Sequence, residues 1–308
     1  MLASAAQAWQ VRQANFPPEI GFDTPRRTLA VSVTGTACAL DCAHCGRHYL
    51  QHMVSLPQVA RQYPAAIEGL APAAGGQPLD DGSPAARLQQ STSLLISGGC
   101  DAQGRVPVTA CLDALRRLRP GRRLNWHVGL IDEADLAAIR PLVDVVSFDF
   151  VGDDETIRQV YGLKRTVADY VACYQQLRAA VPVVPHLTIG LRGGDIHGER
   201  QALRLLGELG ASALVFLVFI PTPGTRYSRR RPPAVEDVAA ILTEARLLFP
   251  TTPLILGCMR PGGSYRSHLD TLAVHCGINR LVNPALAARR TAKELGLRVV
   301  ASEECCVF

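Results

Sequence analysis

The sequence predicts an α/β protein: a single (βα)8 barrel of the TIM type with an extension at each end. Strand-like runs of apolar, β-branched residues alternate with helix-like amphipathic runs, which is the pattern of a parallel α/β fold. The chain has 308 residues, the size of one such barrel, and its 48% hydrophobic residues are enough for a large core. We expect the barrel at residues 27–296, between extensions at residues 1–26 and 297–308.

The elements follow from local patterns along the chain. The N-terminal extension has a helical run at residues 4–13 and a stretch at residues 16–22 that is too rich in Pro for regular structure. Residues 71–84, with their Pro, Gly and Asp, predict an exposed connection. The eight strands are expected at residues 29–34, 93–97, 125–130, 143–150, 183–191, 213–220, 254–257 and 280–283. The helices are expected at residues 56–70, 107–118, 132–140 with Asp132 as N-cap, 155–180, 199–209, 235–248, 269–274 and 286–295.

Composition and charge exclude several classes of protein. The net charge of +5 is mild, and the only concentrated basic run is Arg229-Arg230-Arg231, so we expect no nucleic-acid binding. That run is either a solvated loop or a docking patch for an acidic protein. No run approaches the roughly 18 apolar residues of a membrane helix, and the first residues do not form a signal peptide, so we expect a cytoplasmic protein without membrane contact. The ten cysteines then indicate metal ligands or buried thiols rather than disulfides.

Three cysteines follow the first predicted strand at C-x3-C-x2-C spacing: Cys38, Cys42 and Cys45. In a barrel of this kind, chemistry takes place at the carboxyl ends of the strands, where this loop lies. Iron-sulfur cubanes are normally held by four thiolates and structural zinc by four Cys or His ligands, so three thiolates leave one corner of a metal site open. A zinc site completed by His44 or His48 is the alternative.

Together with Ser97-Gly98-Gly99 after the second strand, this motif resembles the radical S-adenosylmethionine (SAM) superfamily. The resemblance implies a 4Fe-4S cluster on Cys38, Cys42 and Cys45, with the amine and carboxylate of SAM chelating the fourth iron. It also implies that Ser97, Gly98 and Gly99 contact SAM. The family usually has Glu or a similar residue after the glycines, where this chain has Cys100, and that puts the carboxylate contact in doubt.

Three further positions at strand ends are candidate SAM contacts. Asp149 is expected either to bind the ribose hydroxyls or to be a buried, N-capping or otherwise structural Asp. His186 is expected either to contact SAM or to be a core histidine. Pro221, in a turn at residues 219–225, resembles the sixth-strand turn of biotin-synthase-like proteins, which reaches the adenine; the alternative is a plain Pro-Gly turn.

The remaining cysteines divide by predicted position. Cys111, Cys173 and Cys276 are expected to be structural thiols. Cys258 and Cys100 follow strands, and Cys305-Cys306 lie in a tail that we expect to fold over the same mouth of the barrel. These positions suggest a second, auxiliary iron-sulfur cluster on Cys258, Cys305 and Cys306, with Cys100 as a further candidate ligand. A disordered pair of tail thiols is the alternative.

A narrower resemblance rests on residues 41–50, on Gly257-Cys258-Met259-Arg260-Pro261 and on Glu304-Cys305-Cys306. These are similar to the biotin-synthase-like proteins that act as a two-subunit lipoyl synthase in archaea and some bacteria. The resemblance implies that a 5'-deoxyadenosyl radical removes hydrogen from an octanoyl chain on a carrier-domain lysine. The auxiliary cluster would then donate sulfur, with Arg260 contacting that cluster or the substrate, or else forming a surface salt bridge.

The same resemblance implies three partners: a sister radical SAM subunit, the octanoylated carrier domain, and an electron donor of the ferredoxin or flavodoxin type. Another biotin-synthase-like reaction, either a different sulfur insertion or a carbon-skeleton rearrangement, remains open. So does a non-catalytic metal-binding scaffold.

Overall fold

Eleven parallel strands form one curved, open sheet. The structure, a computed structural model, describes residues 2–62, 67 and 83–308. Neighbouring strands follow the order β11-β1-β10-β9-β8-β7-β6-β5-β4-β2-β3, and every pairing between them is parallel. The strands are β1 (Glu19–Asp23), β2 (Thr28–Ser32), β3 (Val54–Ser55), β4 (Ser93–Ser97), β5 (Arg123–Trp126), β6 (Val145–Asp149), β7 (Val183–Ile189), β8 (Leu214–Val218), β9 (Leu254–Leu256), β10 (Arg280–Val282) and β11 (Arg298–Ser302). The predicted α/β class is confirmed, but the sheet is an open half-barrel instead of a closed barrel of eight strands.

The helices lie mainly between successive strands, as expected for parallel crossovers. They are α1 (Leu2–Asn15), α2 (Leu56–Gln62), α3 (Pro84–Gln90), α4 (Leu112–Leu118), α5 (Glu133–Ile139), α6 (Val167–Ala180), α7 (Glu199–Leu209), α8 (Val235–Leu248), α9 (Gly263–His275) and α10 (Leu286–Glu294). Asp132 caps α5, since its side chain accepts a hydrogen bond from the backbone N–H of Asp135. Most of the connection predicted at residues 71–84, and the end of the helix predicted at 56–70, lie outside the described residues.

Two segments that we expected to lie outside the barrel supply strands. Residues 16–22 were predicted to lack regular structure, but β1 begins at Glu19, directly after Pro17-Pro18, and pairs with both β10 and β11. Strand β11 lies at an edge, and Val299 and Val300 stay largely exposed. These two strands are stabilised mainly by pairing with their neighbours. Their own sequences therefore need not have the residue pattern that predicts a strand.

The C-terminal tail closes the amino-terminal end of the half-barrel, so the prediction that it folds over the mouth was wrong. The Glu304 carboxylate accepts hydrogen bonds from the hydroxyls of Thr28, Thr92 and Ser93. Thr28 and Ser93 are the first residues of their parallel strands, and the guanidinium of Arg123, at the start of β5, lies 4.2 Å from the ring centroid of Phe308. The tail therefore fills the space within the curve of the sheet from its amino-terminal end.

A small apolar cluster inside the curve receives this tail. It consists of one residue from each of five consecutive strands together with Cys306: Val145, Val184, Val215, Ile255 and Val282. Side chains two or four positions apart on a strand point to the same face of the sheet. Asp149, four residues after Val145, and His186, two residues after Val184, therefore also point into the curve. We call this space, bordered by His127, Asp149, His186 and Cys258, the inner cleft.

Within the described part of the chain, no helix is both long enough and apolar enough to cross a membrane.

Candidate metal centre

The cysteine loop follows β2 and is fixed by its own turns and by two neighbours. Gly35 and Gly46 adopt positive φ angles of 61° and 50°, which glycine tolerates without steric cost. On one side the N–H of Ala43 donates to the carbonyl of Val160 (2.7 Å), and on the other its carbonyl accepts from the N–H of Tyr227 (3.0 Å). The loop is therefore held across the carboxyl edge of the sheet.

The three sulfurs of this loop lie in one partly buried group. Burial raises the pKa of Cys42, and nearby Cys45, Cys100 and Cys38 raise it further. Burial also raises the pKa of Cys45, while backbone N–H groups of Tyr49, Arg47 and His48 lower it in part. The Cys38 sulfur accepts a hydrogen bond from the N–H of Cys100 at 3.3 Å. N–H donors directed at sulfur are one of the features by which proteins tune iron-sulfur clusters.

The end of β4 packs directly on this loop. The N–H of Gly99 donates to the Thr34 hydroxyl at 2.7 Å. A Cβ at Gly99 would lie 2.0 Å from the Ala37 carbonyl oxygen and 2.5 Å from the Cys38 Cβ, so only glycine fits there. Gly98 and Ser97 precede it at the same edge of the sheet. Thr34, the last residue of the strand predicted at 29–34, was assigned no role from the sequence; in the structure it lies past the end of β2.

The donor set suits an iron-sulfur cluster better than a single zinc ion. Among the described residues, no group of three or more His, Cys, Asp or Glu side chains is placed to hold one metal ion. A zinc ion needs its ligand atoms about 2.0–2.3 Å away, which forces them close together, whereas a cubane spreads its thiolates over separate irons. His44 does not complete a site: its Nδ1 is buried without a hydrogen-bond partner, its ring packs edge-on against Tyr161, and burial lowers its pKa to about 4. The zinc alternative therefore has no support from the geometry of the described residues.

Asp149, His127 and His186 form a polar group in the upper part of the inner cleft. The Asp149 carboxylate is 56% exposed, yet burial raises its pKa, because it faces an enclosed cleft instead of bulk water. Its Oδ2 lies 4.0 Å from the Nδ1 of His127. The His127 and His186 rings meet edge-on with centroids 5.4 Å apart, and burial lowers the pKa of each to about 4, so both are neutral at pH 7.

These positions bear on the alternatives left open by the sequence. Asp149 is neither buried by side-chain accessibility nor an N-cap, and its carboxylate is free to meet a ligand in the cleft. His186 is only 4% exposed, and its Nδ1 lies 3.1 Å from the Val184 carbonyl oxygen, which is the geometry of a core histidine. His127, which directly follows β5 at the same edge of the sheet, was not among the candidate residues from the sequence.

The turn that contains Pro221 packs against the cysteine loop. The hydroxyls of Thr222 and Tyr49 lie 3.1 Å apart, and the Thr225 side chain lies against Gly46, where a Cβ would meet it at 3.2 Å. The N–H of Thr225 closes the turn by donating to the Thr222 carbonyl (3.2 Å). Pro221 thus lies beside the cysteine loop, at the same end of the sheet as Ser97, Gly98, Gly99 and Asp149.

Cys305 and Cys306 lie at the floor of the inner cleft, whereas Cys258 follows β9 at the carboxyl edge of the sheet. The sulfurs of Cys305 and Cys306 are 3.9 Å apart, and the Asn125 amide donates to the Cys305 sulfur at 3.7 Å. The hydrogen bond from Cys306 lowers the pKa of Cys305 to about 7, while the pKa of Cys306 rises. Cys258 is exposed, but desolvation and the nearby Cys305 raise its pKa. Cys100 lies with Cys38 and Cys45 instead.

Hydrogen bonding separates the structural thiols from this set. Three thiols donate to backbone carbonyls: Cys111 to Val33 (3.6 Å), Cys173 to Ile131 (3.8 Å) and Cys276 to Ala239 (3.4 Å). In the described residues, the sulfurs of Cys38, Cys42, Cys45, Cys100 and Cys258 donate to no carbonyl. No hydrogen bond from these thiols to a carbonyl would therefore have to break for the sulfurs to bind a metal.

Arg260 forms a salt bridge, as one of the alternatives stated for it expected, but the bridge is buried instead of lying at the surface. Its guanidinium is fully buried and forms two hydrogen bonds with Asp270, at 2.7 and 2.9 Å. It also donates to the carbonyls of Gly257 (2.6 Å), which directly follows β9, and of Val282 (2.8 Å), the last residue of β10. Arg260 therefore fixes the strand ends beside Cys258 from within the core.

The arginine run Arg229-Arg230-Arg231 is exposed on the loop after β8. Together with Gly193 and Gly194 it borders a cavity of about 470 Å³. No carboxylate partner of these arginines occurs in the described residues, and a docking role for them stays a prediction.

Comparisons with known proteins establish the fold. No family model matches the sequence, and no curated protein matches it. Among solved structures, methylornithine synthase (PylB) is 14% identical with a TM-score of 0.62, over 97% of this chain and 88% of that one. The FeFe-hydrogenase maturase HydG from Carboxydothermus hydrogenoformans is 15% identical with a TM-score of 0.64, over 91% of this chain and 62% of that one.

A third similar structure was solved with a bound ligand. SuiB of Streptococcus suis, bound to S-adenosylmethionine, is 10% identical with a TM-score of 0.50, over 84% of this chain and 58% of that one. The chain thus spans less than two thirds of HydG and SuiB. At these identities the likenesses show that this chain shares the fold of the three proteins.

Proposed function

We propose that this chain is a radical SAM enzyme that inserts sulfur into an octanoyl chain on a carrier-domain lysine, as one subunit of a two-component lipoyl synthase. The observation that carries the proposal is the presence of two separate groups of thiols at one cleft. Cys38, Cys42 and Cys45 follow β2 at its mouth, and Cys305 and Cys306 lie at its floor. Cys258, which follows β9, is near enough to raise the pKa of Cys306. A radical generator at one end and a sulfur source at the other is the arrangement that this reaction requires.

The residues divide the work as follows. Cys38, Cys42 and Cys45 would hold a 4Fe-4S cluster which, when bound, supplies the electron that cleaves SAM into methionine and a 5'-deoxyadenosyl radical. Ser97, Gly98 and Gly99 would lie against the methionyl end of SAM and the Pro221 turn against its adenine. The Asp149 carboxylate would accept hydrogen bonds from the ribose hydroxyls, with neutral His127 and His186 beside it.

The floor of the cleft suits the substrate. Cys258, Cys305 and Cys306 would hold an auxiliary 4Fe-4S cluster as the sulfur source. Leu217 packs with the small apolar cluster and is partly accessible, so that part of the cleft offers an apolar lining for an alkyl chain. The Glu304 contacts keep the tail cysteines in position.

Iron content tests the auxiliary cluster. After anaerobic reconstitution we expect about eight irons per chain in the wild-type protein and about four in Cys305→Ala/Cys306→Ala. The double variant Cys111→Ala/Cys276→Ala, which removes two structural thiols, is the matched control and keeps the wild-type content. About four irons in both the wild-type protein and the tail variant would rule out the auxiliary cluster.

Mass spectrometry tests the substrate. We expect an octanoyl-lysyl peptide, incubated with SAM, dithionite and the reconstituted protein, to gain the mass of one sulfur atom, and two when a sister subunit is added. A peptide of unchanged mass, together with normal 5'-deoxyadenosine formation, would favour a different biotin-synthase-like reaction.

The polar group His127, Asp149 and His186 is the observation on which that second candidate depends. If Asp149 and His127, packed on the buried His186, bind a polar substrate and not the ribose of SAM, a carbon-skeleton rearrangement is the more suitable reaction.

A further inference from the structure

Cys100 differs from the structural thiols of the same chain. It is half-buried, like Cys111, but in the described residues its sulfur donates to no carbonyl, whereas Cys111 donates to Val33. A half-buried thiol that uses no acceptor is available for another bond.

The backbone at residue 100 is tied to the cysteine loop from both directions. Its N–H donates to the Cys38 sulfur (3.3 Å), and its carbonyl accepts from the N–H of Ala39 (2.8 Å). The preceding residue, Gly99, has no space for a side chain against Cys38. Residue 100 cannot move away from the loop unless these contacts break.

Four cysteine side chains lie near one another at this edge of the sheet. The backbone N–H of Cys100 lies 3.3 Å from the Cys38 sulfur, so the Cys100 side chain starts beside that ligand. Burial raises the pKa of the Cys100 thiol, and the nearby Cys38, Asp149, Asp101 and Cys45 raise it further. Burial, Cys45, Cys100 and Cys38 likewise raise the pKa of Cys42. Cys305 and Cys306 lie apart from this group, at the floor of the inner cleft.

We propose that Cys100 is the fourth thiolate ligand of the iron-sulfur cluster on Cys38, Cys42 and Cys45 in the absence of SAM. This inference rests on the proposed function in one respect, that the three-cysteine loop holds such a cluster. Iron-sulfur clusters take four thiolates as a rule, and this edge of the sheet supplies four. Cys100 thus closes the corner that SAM later occupies.

Binding of SAM then requires a ligand exchange. The bond between iron and the Cys100 sulfur breaks, the amine and carboxylate of SAM bind in its place, and the released thiolate takes up the proton that the SAM ammonium group loses when its nitrogen binds iron. No electron is transferred in this step. Until SAM binds, Cys100 protects the cluster from loss of iron.

Oxidative loss of iron tests the proposal without any measurement of activity. The full chain carries Cys305→Ala and Cys306→Ala, so that only one cluster is counted, and is treated anaerobically with ferricyanide in the absence of SAM. We expect the chain with Cys100 to keep its four-iron cluster. We expect Cys100→Ala to lose one iron and to give the paramagnetic signal of a three-iron cluster, which the chain with Cys100 does not give, since one iron then lacks a thiolate.

Two further variants make the test specific. Cys100→Val keeps about the size of the side chain but offers no atom that can bind iron, so it is expected to lose iron like Cys100→Ala, whereas Cys111→Ala is expected to behave like the parent chain. Equal iron loss with and without Cys100, or protection retained in Cys100→Val, would overturn the proposal while leaving the proposed function intact. A chain that takes up no iron in any variant would overturn both.

Discussion

The buried ion pair between Arg260 and Asp270 offers a quantitative test of how the floor of the cleft is supported. Both side chains are fully buried, and Asp270 accepts two hydrogen bonds from the guanidinium and one from the N–H of Ala285 (2.8 Å). In Asp270→Asn, the side-chain oxygen can still accept one hydrogen bond from Arg260. The new NH2 group replaces an acceptor and faces an N–H donor, so that hydrogen bond is lost. The arginine charge then remains buried without a partner.

The expected loss of unfolding free energy is about 3–5 kcal/mol, the cost of removing one partner of a buried pair. With a urea dependence of about 3 kcal/mol per molar, the unfolding midpoint of the metal-free protein should fall by about 1 M or more. The Arg260→Met/Asp270→Asn double variant should lose less than the sum of the two single variants, because it buries no unpaired charge.

The exposed pair Arg200–Glu244 is the matched control. Its side chains are 51% and 43% exposed, and the arginine makes the same two-nitrogen contact with the carboxylate. Because water screens such pairs, we expect Glu244→Gln to cost less than about 1 kcal/mol. A shift no larger for Asp270→Asn than for Glu244→Gln would refute the reasoning, since it would mean that the buried arginine finds another partner at no cost.

Three other predictions concern single positions. Gly99→Ala forces the cysteine loop to move, so we expect the three-cysteine site to lose its iron and the protein about 1–3 kcal/mol of stability, measured by iron content and urea unfolding. Glu304→Ala removes the acceptor that Thr28, Thr92 and Ser93 share, so we expect the tail to detach and the auxiliary iron to fall while the first cluster remains. Glu199 is 3% exposed, and burial raises its pKa from 4.5 to about 7. The folded protein therefore binds this proton more tightly than the unfolded chain does. The stabilising effect of protonated Glu199 is complete below about pH 4.5, and on the order of 3 kcal/mol is lost as the pH rises to about 7. We expect Glu199→Gln to remove that part of the pH dependence of unfolding.

The first two of these predictions have a control in the same chain. Gly207→Ala, on α7, where a Cβ meets nothing closer than 3.6 Å, should keep its iron. Glu303→Ala should leave the tail in place, because Glu303 uses only its backbone carbonyl, which accepts from Arg27 (3.0 Å). Unchanged iron in Gly99→Ala or Glu304→Ala, or unchanged pH dependence in Glu199→Gln, would contradict the corresponding argument.

The strands that the sequence predicted best are those with a strong signal of their own. The position of β4 was predicted without error because Ser93–Ser97 is a compact apolar run bounded by polar residues and glycines. The bounds of α7 and α8 were also correct, since their amphipathic or apolar runs end at glycine, phenylalanine and proline. Strands β1 and β11 escaped prediction because they are stabilised mainly by pairing, β11 with β1 and β1 with both β11 and β10. An exposed run such as Arg298–Ser302 carries no burial pattern.

The site was predictable to the extent that it depends on spacing and strand ends. The three-cysteine loop and the glycine pair were found because both directly follow strands. The place of the tail was not, because it depends on one carboxylate meeting hydroxyls more than 200 residues away in sequence. The role of Arg260 was missed for a similar reason: its partner Asp270 lies one helix further on, and nothing local indicates that either is buried.

The most direct test of the central claim is the cleavage of SAM by the reconstituted protein under anaerobic conditions with dithionite. The account predicts that 5'-deoxyadenosine and methionine form in equal amounts, and that Cys42→Ala, which removes one ligand of the three-cysteine loop, forms neither. Wild-type protein that carries its full complement of iron and yet produces no 5'-deoxyadenosine would contradict the account.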